Sequence, residues 1–142
     1  MQDKIKVGYL VTGRLKSTRL PKKLLLEIKG KTVISHMIDR LKLAKNVDEI
    51  IICTSTNDQD KSLGELAKEN NVKCFFGNPD DVLARLLGAA DEFELDYILN
   101  ITADCPFVDP IYADKVVEKY LENDADLIRP VSYTHLTLPT KA

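Results

Sequence analysis

Between Arg14 and Lys31 the chain carries Arg14, Lys16, Arg19, Lys22, Lys23, Lys29 and Lys31 against a single acid, Glu27, a local charge of +6 in a chain of net charge -2. The remainder therefore carries -8. Guanidinium and ammonium donors, the hydroxyls of Ser17 and Thr18, and backbone amides near Gly13 make a set suited to a polyphosphate. A solvated basic loop is the alternative, and the position directly after a buried apolar run favours phosphate. A second group with chemistry is Asp104, in Thr102-Ala103-Asp104-Cys105-Pro106. Its carboxylate suits a divalent cation, or it caps a helix; Asp109 before Pro110 fits the capping role better.

Parallel strands and crossover helices must bring these segments together. Ile5 to Thr12, Glu49 to Thr54, Val72 to Phe76 and Asp96 to Thr102 are short apolar runs of the kind buried on both faces of a parallel sheet. Helical spacing follows each of them. Val33, Ile34, Met37, Ile38 and Leu41 share one face behind Thr32 as cap, Asp60 to Asn70 carries Leu63, Leu66 and Ala67, and Asp80 to Phe93 aligns Val82, Leu83, Leu86, Leu87 and Ala90. Asp109-Pro110 opens a fourth helix through Val116, Val117, Tyr120 and Leu121. Strict alternation predicts an α/β domain, mostly parallel, with right-handed crossovers and helices on both faces, and the expected arrangement is a Rossmann-like, doubly wound sheet of order 3-2-1-4. In that order the loops after the first and fourth strands flank one switch point, so Asp104 faces the basic loop across a crevice.

Length and composition narrow the classes. The chain has 142 residues, 44% apolar and 30% charged, which suits one globular domain rather than a disordered or membrane-embedded chain. The apolar stretch at Val7 to Val11 is too short for a signal peptide core or a membrane span, and a cytoplasmic location is expected. Cys53, Cys74 and Cys105 form an odd set without a C-x-x-C pair, so no zinc site or disulfide framework is expected; Cys53 and Cys74 read as buried thiols. Lys29-Gly30-Lys31-Thr32 is not a P-loop, because Leu25 stands where the first glycine is required; Gly30 reads as a turn into the helix. His36 and His135 offer no Ser-His-Asp or Cys-His arrangement. Leu127-Ile128 reads as the start of a fifth strand. Residues 1–128 are expected to be the nucleotide-binding part of a longer domain, and 129–142, with two prolines and four Ser or Thr, a disordered or non-native tail.

Thr12 to Lys23, TGRLKSTRLPKK, resembles the nucleotide-binding signature of the cytidylyltransferases that make CMP-activated sugars, including CMP-KDO and CMP-acylneuraminate synthetases. The resemblance is closest to the SpsF-like branch of spore-coat polysaccharide biosynthesis. Arg14, Ser17, Thr18, Arg19, Leu20, Pro21 and Lys23 fall on the pattern. Gly13 replaces a usual alanine, while Lys16 and Lys22 stand where glycines are common, so the loop is expected to differ in conformation. Thr102-Ala103-Asp104-Cys105-Pro106 is similar to the family's T-G-D-x-P segment with Ala103 for glycine, and Asp80-Asp81-Val82-Leu83-Ala84-Arg85 is similar to a D-D-V-L-x-R run.

The resemblance implies that Arg14 and Lys23 bind the triphosphate of CTP, that Ser17 donates to a phosphate oxygen beside Thr18 and Arg19, and that Asp104 holds Mg²⁺. Arg19 could equally be structural. Asn78, Asp81 and Arg85 would lie near base and ribose, although Asp80 and Asp81 also suit a helix start, with Arg85 as an i,i+4 partner of Asp81. The implied reaction transfers CMP to an acidic sugar with release of pyrophosphate, without a protein nucleophile. The resemblance further implies a longer, homodimeric enzyme, so this chain is expected to be a weakly active or inactive fragment. No nucleic-acid or membrane partner is expected. Two alternatives remain: a nucleotidyltransferase for another base, and a noncatalytic module that binds an anion through the basic loop, against which stands the lack of interleaved aromatics.

Overall fold

Six consecutive buried residues, Val7–Thr12, form strand β1 at the centre of a four-stranded sheet. The computed structural model describes residues 4–16, 19–123 and 125–128, so the expectations for Ser17, Thr18 and the tail 129–142 lie outside the described residues. A short hairpin follows β1, with strands β2 (Glu27–Ile28) and β3 (Lys31–Thr32). Then come α1 (Val33–Leu41), β4 (Glu49–Ser55), α2 (Ser62–Glu69), β5 (Lys73–Gly77), α3 (Val82–Glu92), β6 (Tyr97–Thr102) and α4 (Pro110–Glu122). The large sheet has order β5-β4-β1-β6 and every pairing in it is parallel. Counting only its own strands, this is the expected doubly wound order 3-2-1-4.

Period-two alternation along β1 sorts the core into two layers. Val7, Tyr9 and Val11 join Ile34, Met37 and Ile38 of α1, Leu63 and Leu66 of α2, and Ala113 and Val117 of α4 on one face. Leu10 joins Ile51 and Cys53 of β4 and Leu86 and Ala89 of α3 on the other. Among the described residues three helices therefore cover one face and α3 alone the second. Helix starts are local: Thr32 accepts from the Ser35 amide, Asp81 from the Ala84 amide, and Asp109 from the amides of Ile111 and Tyr112 ahead of Pro110.

One expectation is sharpened and two change. Gly30 turns a hairpin before the helix begins: Lys29 and Gly30 have φ of 53° and 75°, the two left-handed residues that a tight two-residue connection requires. Strands of two residues carry no periodicity, so this hairpin is invisible to pattern reading. Asp60 lies before α2, in a 3-10 turn (Asp58–Asp60), and is fully buried. Leu127 and Ile128 make no strand pairing, and Leu127 is 80% exposed. Among the described residues β6 is paired on one side only. No described helix is long and apolar enough to cross a membrane.

Candidate functional site

The register of the sheet sets where the two chemical segments emerge. Thr12, the last residue of β1, aligns with Thr102, the last of β6, and with Cys53 near the end of β4. The Gly13 amide donates to Cys53 O at 3.1 Å and the Ala103 amide to Thr12 O at 2.8 Å. The loops after β1 and β6 thus leave the sheet side by side at its carboxyl edge, where a topological switch point opens a crevice.

The basic loop is held by two apolar anchors in its own sequence. Leu15 and Leu24 are buried in the core, and between and around them Arg14, Lys16 and Lys23 reach the crevice. Lys23 begins a short 3-10 turn (Lys23–Leu25) behind Lys22, whose backbone is left-handed at φ 54°. The lysine therefore occupies the left-handed region that glycine enters most easily. The glycine-free backbone carries a strain of about 1–2 kcal/mol there.

The crevice has a volume of about 570 Å³. Four cations (Arg14, Lys16, Lys23 and Arg85) and two carboxylates (Asp80 and Asp104) line it. Lys23 Nζ lies 2.5 Å from Asp104 Oδ2, an ion pair between residues 81 positions apart in sequence. The Lys23 ammonium, and after it the Thr102 hydroxyl, hold the Asp104 carboxyl below the usual carboxylate range. Both partners remain about two-fifths exposed, so a ligand can reach them. A larger groove of about 1180 Å³ runs along the free flank of β6, past Tyr97, Leu99, Val116 and Tyr120. No lysine, arginine or histidine lines that groove, so of the two only the smaller crevice has a cationic lining.

The β5–α3 loop closes the crevice opposite the basic loop, and its expected ligand groups are occupied by the loop itself. Asn78 Oδ1 accepts from the amides of Asp80 and Asp81, each at 2.9 Å, and Asp81 Oδ1 caps α3. Arg85 does not turn to Asp81: Nη1 donates to Asn78 O at 2.7 Å, and the side chain is 4% exposed with Nε unpaired. Arg14 reaches across from the basic loop and donates to Pro79 O. Arg14, Lys23, Asp104 and Arg85 are thus brought together, Asn78 and Asp81 shape the loop beside them, and Arg19 is exposed and does not line the crevice.

Sequence reading missed other residues of the crevice. Asn100 and Thr12 meet at its floor, with Thr12 Oγ1 donating to Ile101 O at 3.1 Å and lying 3.3 Å from Asn100 Oδ1. A polar Asn inside the apolar run Tyr97–Thr102 was the available signal. Among the described residues no three His, Cys, Asp or Glu gather into a metal cage. Asp104 nevertheless fits Mg²⁺, which takes one or two carboxylates and completes its shell with phosphate oxygens and water.

Comparison with known proteins gives the family. A family model described as cytidylyltransferase matches residues 9–142. The solved structure of a cytidylyltransferase from Leptospira borgpetersenii superposes with a TM-score of 0.80 at 36% identity, covering 85% of this chain and 51% of that one. The 8-amino-3,8-dideoxy-manno-octulosonate cytidylyltransferase of Shewanella frigidimarina is 30% identical over 125 residues, 82% of this chain and 48% of that protein. The spore coat polysaccharide biosynthesis protein SpsF of Bacillus subtilis is 25% identical over 122 residues, 83% and 51% of the two chains. The chain spans about half the length of the curated relatives it matches. With its sheet order, its basic loop and its matched length all in agreement, the chain belongs to the cytidylyltransferase family.

Proposed function

We propose that the crevice binds CTP, with Arg14, Lys16 and Lys23 on the triphosphate, and that the complete enzyme transfers CMP to an acidic sugar of the octulosonate type with release of pyrophosphate. The observation that carries this reading is the 2.5 Å approach of Lys23 Nζ to Asp104 Oδ2, because it joins the phosphate loop to a carboxylate at the switch point. Ser17 and Thr18 belong to the same loop and add hydroxyl donors to the phosphates. A sugar oxygen attacks the α-phosphorus and pyrophosphate departs; the lysine and arginine side chains hold the triphosphate in line and offset charge developing on the leaving oxygens. Mg²⁺ held by Asp104 would supply further neutralisation of that charge. A role in surface polysaccharide synthesis, and specifically in a spore coat, extends the same reading through the names of the relatives.

Equilibrium binding of Mg-CTP to the purified chain is the test. Lys23→Ala and Asp104→Ala each weaken binding, and Asp104→Ala also removes its dependence on magnesium. If Lys23→Ala alone weakens binding while Asp104→Ala leaves the magnesium dependence intact, the crevice is an anion site without a metal role and the transferase reading fails. Competition of unlabelled nucleotides against labelled CTP reads the base preference in the same assay.

A further inference from the structure

We infer that Asp60 is a positioning residue for the phosphate loop: a buried carboxylate from the β4–α2 segment that fixes the peptide between Arg14 and Lys16 and thereby sets their reach into the crevice. The inference rests on the anion-binding reading of that crevice. Asp60 is fully buried, and among the described residues no lysine or arginine pairs with it. An isolated buried carboxylate is costly, so its hydrogen bonds show what it is retained for. Oδ1 accepts from the Leu15 amide at 2.7 Å, across 45 residues of sequence. Oδ2 accepts from the hydroxyl of Ser55, the last residue of β4, and that hydroxyl in turn accepts from the Asn57 amide at 3.2 Å. The Asp60 amide donates to Asn57 O at 2.9 Å, closing the segment on itself.

The geometry ties the start of the basic loop to the rigid end of a core strand. Leu15 buries its side chain, which fixes the depth of the loop but leaves the peptide plane free to rotate. Pinning the Leu15 N–H removes that freedom, and Arg14 and Lys16 on either side then both line the crevice. A ligand that finds donors already in place loses less conformational freedom on binding. The charge on Asp60 acts in the opposite sense, since a negative group near a phosphate site repels the ligand. The two roles therefore separate by substitution. Asp60→Asn keeps an acceptor for the Leu15 amide and removes the charge; Asp60→Ala removes both.

The experiment measures inorganic pyrophosphate affinity by titration calorimetry on the full chain and its variants, with circular dichroism to establish folding at the working temperature and hydrogen exchange of the Leu15 amide. Positioning predicts that Asp60→Ala weakens pyrophosphate by about tenfold or more, with Leu15 amide protection lost. Asp60→Asn binds at least as well as the parent, within about threefold, and keeps that protection. A folded Asp60→Ala chain that binds pyrophosphate as tightly as the parent, or Asp60→Asn as weak as Asp60→Ala, overturns the inference. Should Asp60→Ala not fold, Asp60→Ser, too short to reach both partners, is compared with Asp60→Asn on the same readouts and the same outcomes decide. Absence of pyrophosphate binding by the parent overturns this inference and the phosphate reading together. Pyrophosphate binding by the parent without CTP binding overturns only the proposed cytidylyl transfer.

Discussion

Gly13→Ala tests the junction of the two site loops. A Cβ on residue 13 would stand 2.7 Å from Ala103 Cβ and 2.9 Å from Leu24 Cδ1, closer than carbon atoms approach without displacement. Leu24 can swing its terminal methyl, but Ala103 Cβ is fixed to a backbone hydrogen-bonded to Thr12. Overpacking of this kind costs about 1–3 kcal/mol. Gly13 is not at a positive φ, so alanine gains about 0.4–1 kcal/mol from a less disordered unfolded chain. The net effect is a destabilisation of about 1–2 kcal/mol. Ala103→Gly alone loses a buried methyl and gains backbone freedom, again about 1–2 kcal/mol. In the double variant the new methyl takes the place of the old one, so the pair should lie within about 1 kcal/mol of the parent rather than at the sum. Urea denaturation of the four proteins measures the cycle. The interest lies in the sequence: the related signatures place alanine and glycine at these two positions, and this chain has them exchanged. Additivity of the two substitutions within about 0.5 kcal/mol would refute the exchange.

Lys22→Gly should stabilise the fold by about 0.5–1 kcal/mol in the same denaturation assay, because a left-handed backbone at φ 54° is easier for glycine, and no change would show that the loop relaxes away from that conformation. Burial pushes the Cys53 thiol up to about 12 and the Cys74 thiol up to about 11. A disulfide reagent at pH 8 should therefore modify exposed Cys105 rapidly, half-buried Cys74 more slowly and buried Cys53 only on unfolding; fast reaction of Cys53 contradicts that core. The pair Lys23–Asp104 lowers the Asp104 carboxyl from its ordinary 3.8, so its contribution to stability is present above that value and is lost as pH falls through the lower folded value. The difference in Tm between the parent and Asp104→Asn should be level from pH 5 to 8, small because the pair is exposed, and should vanish in acid; a difference that grows in acid would reverse the assigned sign.

The elements that pattern reading found are those whose physics is local. Val7–Thr12 is apolar throughout because it is buried on both sheet faces, and Thr32 and Asp109 cap helices through amides two or three residues away. Elements without such a signature escaped. The β2–β3 hairpin is too short for a period, and Asp60 looks like an ordinary acid at a helix start although it is buried against the Leu15 amide. Asn78, Asp81 and Arg85 show the converse case. Their residue types suit ligand contacts, yet Asn78 and Asp81 hold the backbone of their own loop, and Arg85 is buried behind it.

The sequence by itself determined the order of the four strands of the large sheet and of the four helices, the +6 loop after β1 and the acid after β6, because each depends on neighbours along the chain. Tertiary structure alone decided which of these groups meet. Lys23 with Asp104, Gly13 with Ala103 and Asp60 with Leu15 are contacts across 45 to 90 residues, created when parallel crossovers place the carboxyl ends of β1, β4 and β6 at one edge. No spacing along the chain encodes such contacts; the register of the sheet does.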